Sequence, residues 1–159
     1  MRRNRVLQNG ATYYITCNIN RFKNELKDFI IKEMLLFVLM EAKKKFNFQL
    51  NHFIFLDDHV HFIIKPNEKY NLSKVMQWIL GVFATRYNKK LKLHGKVWYD
   101  RFKSEIIATA NNIKNFIKRL NDNIKRFKIT NNITNYQFSG IYYKLNKQHD
   151  LVNPSLLFF

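Results

Sequence analysis

The sequence contains little of what marks disulfide-stabilised, linker-divided or membrane-spanning proteins. Its 159 residues include one cysteine, two prolines and four glycines. The lone Cys17 cannot form an internal disulfide or a zinc finger, and so few prolines and glycines leave no flexible linker. The longest apolar stretch, residues 34–40, is too short to cross a bilayer. At the N-terminus, a basic stretch is followed by polar Gln8, Asn9 and Gly10, which is not typical of a signal peptide. We therefore expect one cytoplasmic protein with no membrane partner.

Acidic residues are also scarce. The 11 Asp and Glu residues face 28 Lys and Arg residues, which gives a formal charge of +17. Because 47% of the residues are hydrophobic, the chain can build a core, and intrinsic disorder is excluded. A lysine-rich source organism would account for part of the charge. A polyanionic partner accounts for it better, and nucleic acid is favoured over an anionic membrane surface.

Hydrophobic periodicity predicts seven elements in the order β-α-β-β-α-β-α. We predict strands at 12–19, 48–56, 60–65 and 97–108, and helices at 25–46, from Asn71 or Ser73 to about Tyr87, and at 112–127. This order predicts an α+β fold with a small four-stranded antiparallel sheet and helices on one face, which leaves the other face free to bind. We assign residues 1–130 to this domain and 131–159 to a C-terminal tail that packs on the domain or on a partner.

A His-x-His pair at the start of the third strand is the main candidate site. Strand alternation places the imidazoles of His59 and His61 on the same face, where they could share a divalent cation. Nitrogen ligands suit manganese, zinc, nickel or cobalt, and an added carboxylate or amide would admit magnesium. The competing interpretation is that both rings only form hydrogen bonds to backbone or water.

The sequence around this pair resembles the single-tyrosine HUH transposases, in particular the REP-associated tyrosine transposases and related bacterial insertion-sequence transposases. The resemblance begins with Phe53–Pro66, which reads FIFLDDHVHFIIKP. Residues 72–78 (LSKVMQW) and 85–88 (TRYN) are similar to the second helix of that family. Residues 95–104 (GKVWYDRFKS) are similar to its Gly-x-Val-Trp-x-x-Arg-Phe signature. The similarity covers about residues 5 to 130.

The resemblance implies an RRM-like HUH endonuclease fold and a divalent cation, magnesium or manganese, that polarises a scissile phosphate in single-stranded DNA. A tyrosine on the last helix would attack the phosphorus and form a 5′-phosphotyrosine link. The resemblance also implies recognition of hairpins near the cleavage site and a homodimeric protein.

The last helix departs from the family pattern. Matching Phe116-Ile117 and Ile124-Lys125 to the family motif places Lys118 at the nucleophilic tyrosine and Asp122 at the third metal ligand. No tyrosine lies between Tyr99 and Tyr136. Lys118 and Asp122 are one helical turn apart and share a face opposite the apolar stripe, so they could equally form a solvated ion pair. A protonated lysine is a poor nucleophile, and its expected role is to hold a phosphate.

These features predict a repurposed, cleavage-deficient protein that binds hairpin or single-stranded DNA, or RNA, at the nucleoid of a bacterium, alone or within a larger assembly. One alternative is an active metal-dependent transposase or nuclease that uses another tyrosine or a metal-bound water. Another is a structural subunit that kept the fold for protein contacts. The cations expected to contact nucleic acid are Arg2, Arg3, Arg5, Arg86, Lys89, Arg101, Lys103, Lys114, Lys118, Arg119, Lys125 and Arg126.

Overall fold

The computed structural model describes residues 5, 7–19, 25–148 and 150–153, so the predicted contacts of Arg2 and Arg3 lie outside the described residues. A four-stranded antiparallel sheet forms the centre of the fold, with strand order β2-β3-β1-β4. The elements are β1 (Thr12–Asn18), α1 (Phe29–Phe46), β2 (Gln49–Phe55), β3 (His59–Lys65), α2 (Leu72–Leu91), β4 (Lys103–Ile107), α3 (Ala110–Arg126) and α4 (Gly140–Leu145). Short 3-10 turns occupy Glu25–Lys27 and Ile133–Asn135. The predicted α+β class and strand number are confirmed.

Side-chain caps explain where the long helices begin. The Asp28 carboxylate accepts hydrogen bonds from the amides of Ile30 and Ile31 at the start of α1. The Asn71 side chain accepts from the Lys74 amide, which selects Asn71 over Ser73 as the N-cap of α2. None of the helices in the described part of the chain is long and apolar enough to cross a membrane.

The helices cover both faces of the sheet, which differs from the expected one-sided arrangement. On one face, Leu35 of α1 and Ile79 of α2 share a core with Ile15 and Phe62. On the other face, the apolar stripe of α3 packs against alternate strand residues, in two clusters: Leu120 and Ile124 with Ile54 and Leu56, and Ile113 and Ile117 with Ile63 and Ile107. The second face is apolar at these positions and needs a helix to cover it, so it is not free.

The fourth strand is shorter than predicted. Residues 97–102 lie outside it, although Trp98 forms an isolated bridge with Ile19. The Trp98 ring is buried, and its Nε1–H donates to the carbonyl of Leu80 on α2 at 3.0 Å. The aromatic side chains of this segment therefore pack toward α2, and the ladder with β1 begins only at Lys103.

The segment after α3 packs along the outer side of β2. The Phe55 amide donates to the Phe138 carbonyl at 2.9 Å, and Ser139 forms a bridge with Ile54. Farther along, Leu50 and Asn153 exchange two hydrogen bonds, each of 2.9 Å. Phe138, Tyr143, Leu151 and Val152 join the core of α1 and α2.

Candidate metal and nucleic-acid site

His59 and His61 project from β3 toward α3, as the alternation predicts. Their ring centroids are 4.8 Å apart and the rings are nearly perpendicular. Nδ1 of His59 pairs with the carboxylate of Asp58. Nδ1 of His61 lies 2.9 Å from Tyr14 Oη and 3.0 Å from Thr16 Oγ1. Because the side-chain hydrogen bonds of both rings are made by Nδ1, Nε2 is the nitrogen through which each ring can bind a cation, a division of roles typical of metal-binding histidines.

The two rings differ in burial. The side chain of His59 is 20% exposed, whereas His61 is buried. Burial, together with the nearby His59 and Arg119, lowers the pKa of His61 to about 3. His61 is therefore neutral at physiological pH and keeps a lone pair for a cation.

A column of stacked rings joins α3 to the His pair. Tyr14 lies between His61 (centroids 5.3 Å apart, interplanar angle 16°) and Phe116 of α3 (4.5 Å, 24°). The Arg119 guanidinium lies 4.8 Å from the Phe116 centroid. Burial raises the pKa of Tyr14, which disfavours its phenolate, while Thr16 and Arg119 act in the opposite direction. Tyr14 was not predicted as a site residue, since its place depends on the β1–β3 register.

The structure places Lys118 and Asp122 on the exposed side of α3. Both are exposed, on the side of α3 opposite the stripe of Ile117, Leu120 and Ile124. Within the described residues, no group of three or more His, Cys, Asp or Glu side chains is arranged to hold a metal ion. The assignment of Asp122 as a metal ligand, and of Lys118 to the nucleophile position, therefore stay predictions.

Asn121 is the polar side chain of α3 that turns toward the sheet. Its Oδ1 is buried and has no hydrogen-bond partner among the described residues. The side chain lies against His52 of β2, a fully buried imidazole whose two nitrogens also have no partner in that part of the chain. Burial and the neighbouring Lys144 lower the pKa of His52 to about 3. His61 contributes to this lowering, whereas the contact with Asn121 raises the pKa. The sequence signal for Asn121 is a polar residue within an apolar stripe.

The predicted nucleic-acid contacts are distributed unevenly. Arg86 is already paired, because its guanidinium binds both carboxylate oxygens of Glu41 at 3.0 and 2.7 Å. Arg119 packs on Phe116 and lies near enough to the His pair to lower the pKa of His61. The remaining exposed cations lie at the end of α2, at the start of β4 and along α3: Lys89, Arg101, Lys103, Lys114, Lys118, Lys125 and Arg126.

Comparison with known proteins agrees with this architecture. Residues 9–120 match the sequence model of a family described as IS200-like transposases. A REP-associated tyrosine transposase bound to a REP hairpin has the same fold, with a TM-score of 0.76 at 19% identity over 93% of this chain and 87% of that one. A predicted transposase from Deinococcus radiodurans gives a TM-score of 0.52 at 12% identity over 76% of this chain and 98% of the other. No curated protein matches the sequence.

Proposed function

Since the chain belongs to the IS200-like transposase family, we propose that it binds hairpin or single-stranded nucleic acid, DNA in the first place, without cutting it through a helix-borne tyrosine. The observation that carries this proposal is the composition of α3. The helix that covers His59 and His61 contains no tyrosine, and its residues nearest the sheet are aliphatic or, at Phe116 and Asn121, non-nucleophilic. The proposal includes a hairpin because the structure of the REP-associated relative contains one.

We further propose that His59 and His61 hold a divalent cation, magnesium or manganese. Two imidazoles with their Nδ1 atoms engaged, of which the buried His61 is neutral, fit such an ion. The cation would supply charge to orient and polarise a phosphate. For the third protein ligand, the buried amide of Asn121 is better placed than the exposed carboxylate of Asp122, because Asn121 already faces the imidazole-bearing side of the sheet.

The alternative function is an active nickase. One observation favours it: the hydroxyl of Tyr14 lies 2.9 Å from Nδ1 of His61, so a tyrosine does reach the His pair from β1. Against it, burial raises the pKa of Tyr14 and both faces of the ring are covered. A metal-bound water is the other possible nucleophile. The homodimer and a place in a larger assembly stay proposals from family resemblance.

The discriminating experiment uses a hairpin-bearing single-stranded DNA with Mn²⁺, labelled at each end in parallel reactions. Binding is followed by gel shift, nicking on a denaturing gel and covalent attachment on an SDS gel. We expect a shift with neither nick nor adduct. A covalent adduct that disappears in Tyr14→Phe would instead establish the tyrosine nickase, and nicks without an adduct would indicate the water mechanism. Absence of binding to any oligonucleotide would contradict the proposal as a whole.

A further inference from the structure

A second candidate binding surface lies on the α2 side of the sheet, away from the His pair. Segment 95–104 and α2 enclose an open groove of ≈ 1180 Å³ that reaches β4. Its apolar lining, which we call the floor, includes Gly81 and Ala84 of α2, Trp98 of the segment and Ile106 of β4. Gly81 has open space where a side chain would stand, which widens the groove on the α2 side.

Positive charge lines this groove with little acidic compensation. The cations are Arg5, Lys96, Arg101 and Lys103. Among the described residues that line the groove, the one carboxylate is Asp100, 3.7 Å from the Lys103 amine. A net positive rim above an apolar floor is the arrangement that suits an anion with a flat apolar part.

Arg5 gives part of this charge a fixed position beside Arg101. The Arg5 guanidinium lies 3.4 Å from the centroid of Phe102 and donates to the Phe102 carbonyl at 2.8 Å. Burial and the neighbouring Arg101 both lower the pKa of Arg5, so two guanidinium groups share this end of the groove. Like charges held together at a surface are stabilised when a phosphate lies between them.

We propose that this groove binds a stretch of single-stranded nucleic acid, with Arg5 and Arg101 on its phosphates and a base against the floor formed by Gly81, Ala84 and Trp98. The proposal rests on the proposed function, and it adds a binding site that the His pair does not provide. A single strand fits better than a duplex, because only unpaired bases expose a face to an apolar floor.

The groove and the His pair are connected around the open edge of the sheet. Lys103 lines the groove, and in the β1–β4 register it stands opposite Thr16, whose hydroxyl contacts His61. A strand leaving the groove past Lys103 thus arrives at the metal-binding face. The groove would hold the segment that flanks the one at His59 and His61.

The first test is binding of a fluorescein-labelled oligothymidylate of about 20 nucleotides, followed by anisotropy at several salt concentrations. Arg101→Ala removes an exposed rim cation, and Lys90→Ala is the matched control, an exposed α2 cation outside the groove. We expect Arg101→Ala to weaken binding about fivefold to tenfold near 0.1 M salt and to reduce the slope of log K against log [salt] by about 0.7. Lys90→Ala should change both much less.

The second test locates the strand directly and does not depend on a variant. The same oligonucleotide carrying photoreactive iododeoxyuridine is crosslinked to the wild-type chain, and the modified peptide is identified by mass spectrometry. We expect crosslinks within residues 95–103. If the wild type binds, but Arg101→Ala equals Lys90→Ala and crosslinks fall elsewhere, the groove is overturned and nucleic-acid binding stands. If the wild type binds no oligonucleotide, the proposed function fails with it.

Discussion

The hydroxyl of Tyr14 lies 2.9 Å from Nδ1 of His61, although 46 residues separate the two in the chain. This contact engages Nδ1 of the buried imidazole and leaves Nε2 for the proposed cation. Thr16 Oγ1 provides a second partner at 3.0 Å. Tyr14 is therefore expected to act as a positioning residue for the candidate metal ligand.

Replacing Tyr14 by phenylalanine should weaken Mn²⁺ binding. Loss of an outer-shell hydrogen bond to a metal-binding histidine costs about 10- to 100-fold in affinity. Because Thr16 remains, we expect about tenfold, measured by isothermal titration calorimetry. Tyr70→Phe is the control, since Tyr70 packs near Phe46 on the other side of the sheet. Equal Mn²⁺ affinity in Tyr14→Phe and the wild type would remove Tyr14 from the metal site.

The choice of third ligand separates two neighbouring residues of α3. We expect Asn121→Ala to lower Mn²⁺ affinity about tenfold or more, because a lost ligand is not replaced within the buried face. Asp122→Ala should leave the affinity within about twofold, since an exposed carboxylate contributes only a screened charge. Calorimetry on the two variants, with His61→Ala as the null reference, decides the matter. A larger loss of Mn²⁺ affinity in Asp122→Ala than in Asn121→Ala would restore Asp122 as the third metal ligand.

Stability should fall as the pH is lowered from 7 to 5. The pKa of His52 is about 3 in the folded chain against about 6.5 when unfolded, so between these values the unfolded state binds more protons. The free energy of unfolding then increases with pH in this window and levels off above 6.5. For a fully buried His52 the loss between pH 7 and pH 5 amounts to about 2 kcal/mol.

Urea unfolding with EDTA at pH 5, 6 and 7 measures this dependence. His52→Gln should flatten the profile by about that amount at pH 5, while His94→Gln, at an exposed position, should leave it unchanged. His61 has a similarly lowered pKa and maintains part of the slope in both variants. If the free energy of unfolding depends on pH as steeply in His52→Gln as in the wild type, the His52 ring takes up its proton in the folded chain without opening the core.

Gly140 is expected to tolerate no side chain. A Cβ at this position would stand 2.6 Å from Nδ1 of His52 and 3.2 Å from the backbone amide of Phe53. Gly140→Ala should therefore destabilise the fold by about 1–3 kcal/mol. Gly81→Ala is the matched control, because Gly81 lies in α2 with open space around it, and it should stabilise by about 0.5–1 kcal/mol. Thermal unfolding of both variants checks the pair. Equal melting temperatures would contradict the contact between α4 and β2.

Much of the scaffold follows from local sequence patterns. The alternation in β1 and the apolar stripe of α2 are strong signals that no other interaction overrides, and both elements lie where they were predicted. The limits of β4 were predicted too wide, because Val97, Trp98 and Phe102 have strand-forming side chains that pack into the core from a loop. Propensity does not distinguish these two ways of burying an aromatic ring.

The His pair was predictable from sequence, whereas its surroundings were not. Tyr14, His52 and Asn121 converge through strand register and helix placement, which depend on contacts between distant parts of the chain. The third helix illustrates the same limit. Its stripe was predicted, but which face of the sheet it covers is decided by the alternate residues Ile54, Ile63 and Ile107. An apolar stripe indicates that one side of a helix is buried, but it does not indicate which part of the protein that side packs against.

The packing of residues 138–148 and 150–153 against β2 makes the two edges of the sheet unequal. The β2 edge is covered by the C-terminal part of the chain. In the described residues, no strand pairs with the outer side of β4. Growth by strand addition can therefore proceed in one direction only. If two copies pair through their β4 strands, neither copy keeps a free edge strand, and assembly stops at two subunits. A sheet with both borders open would continue into a fibre.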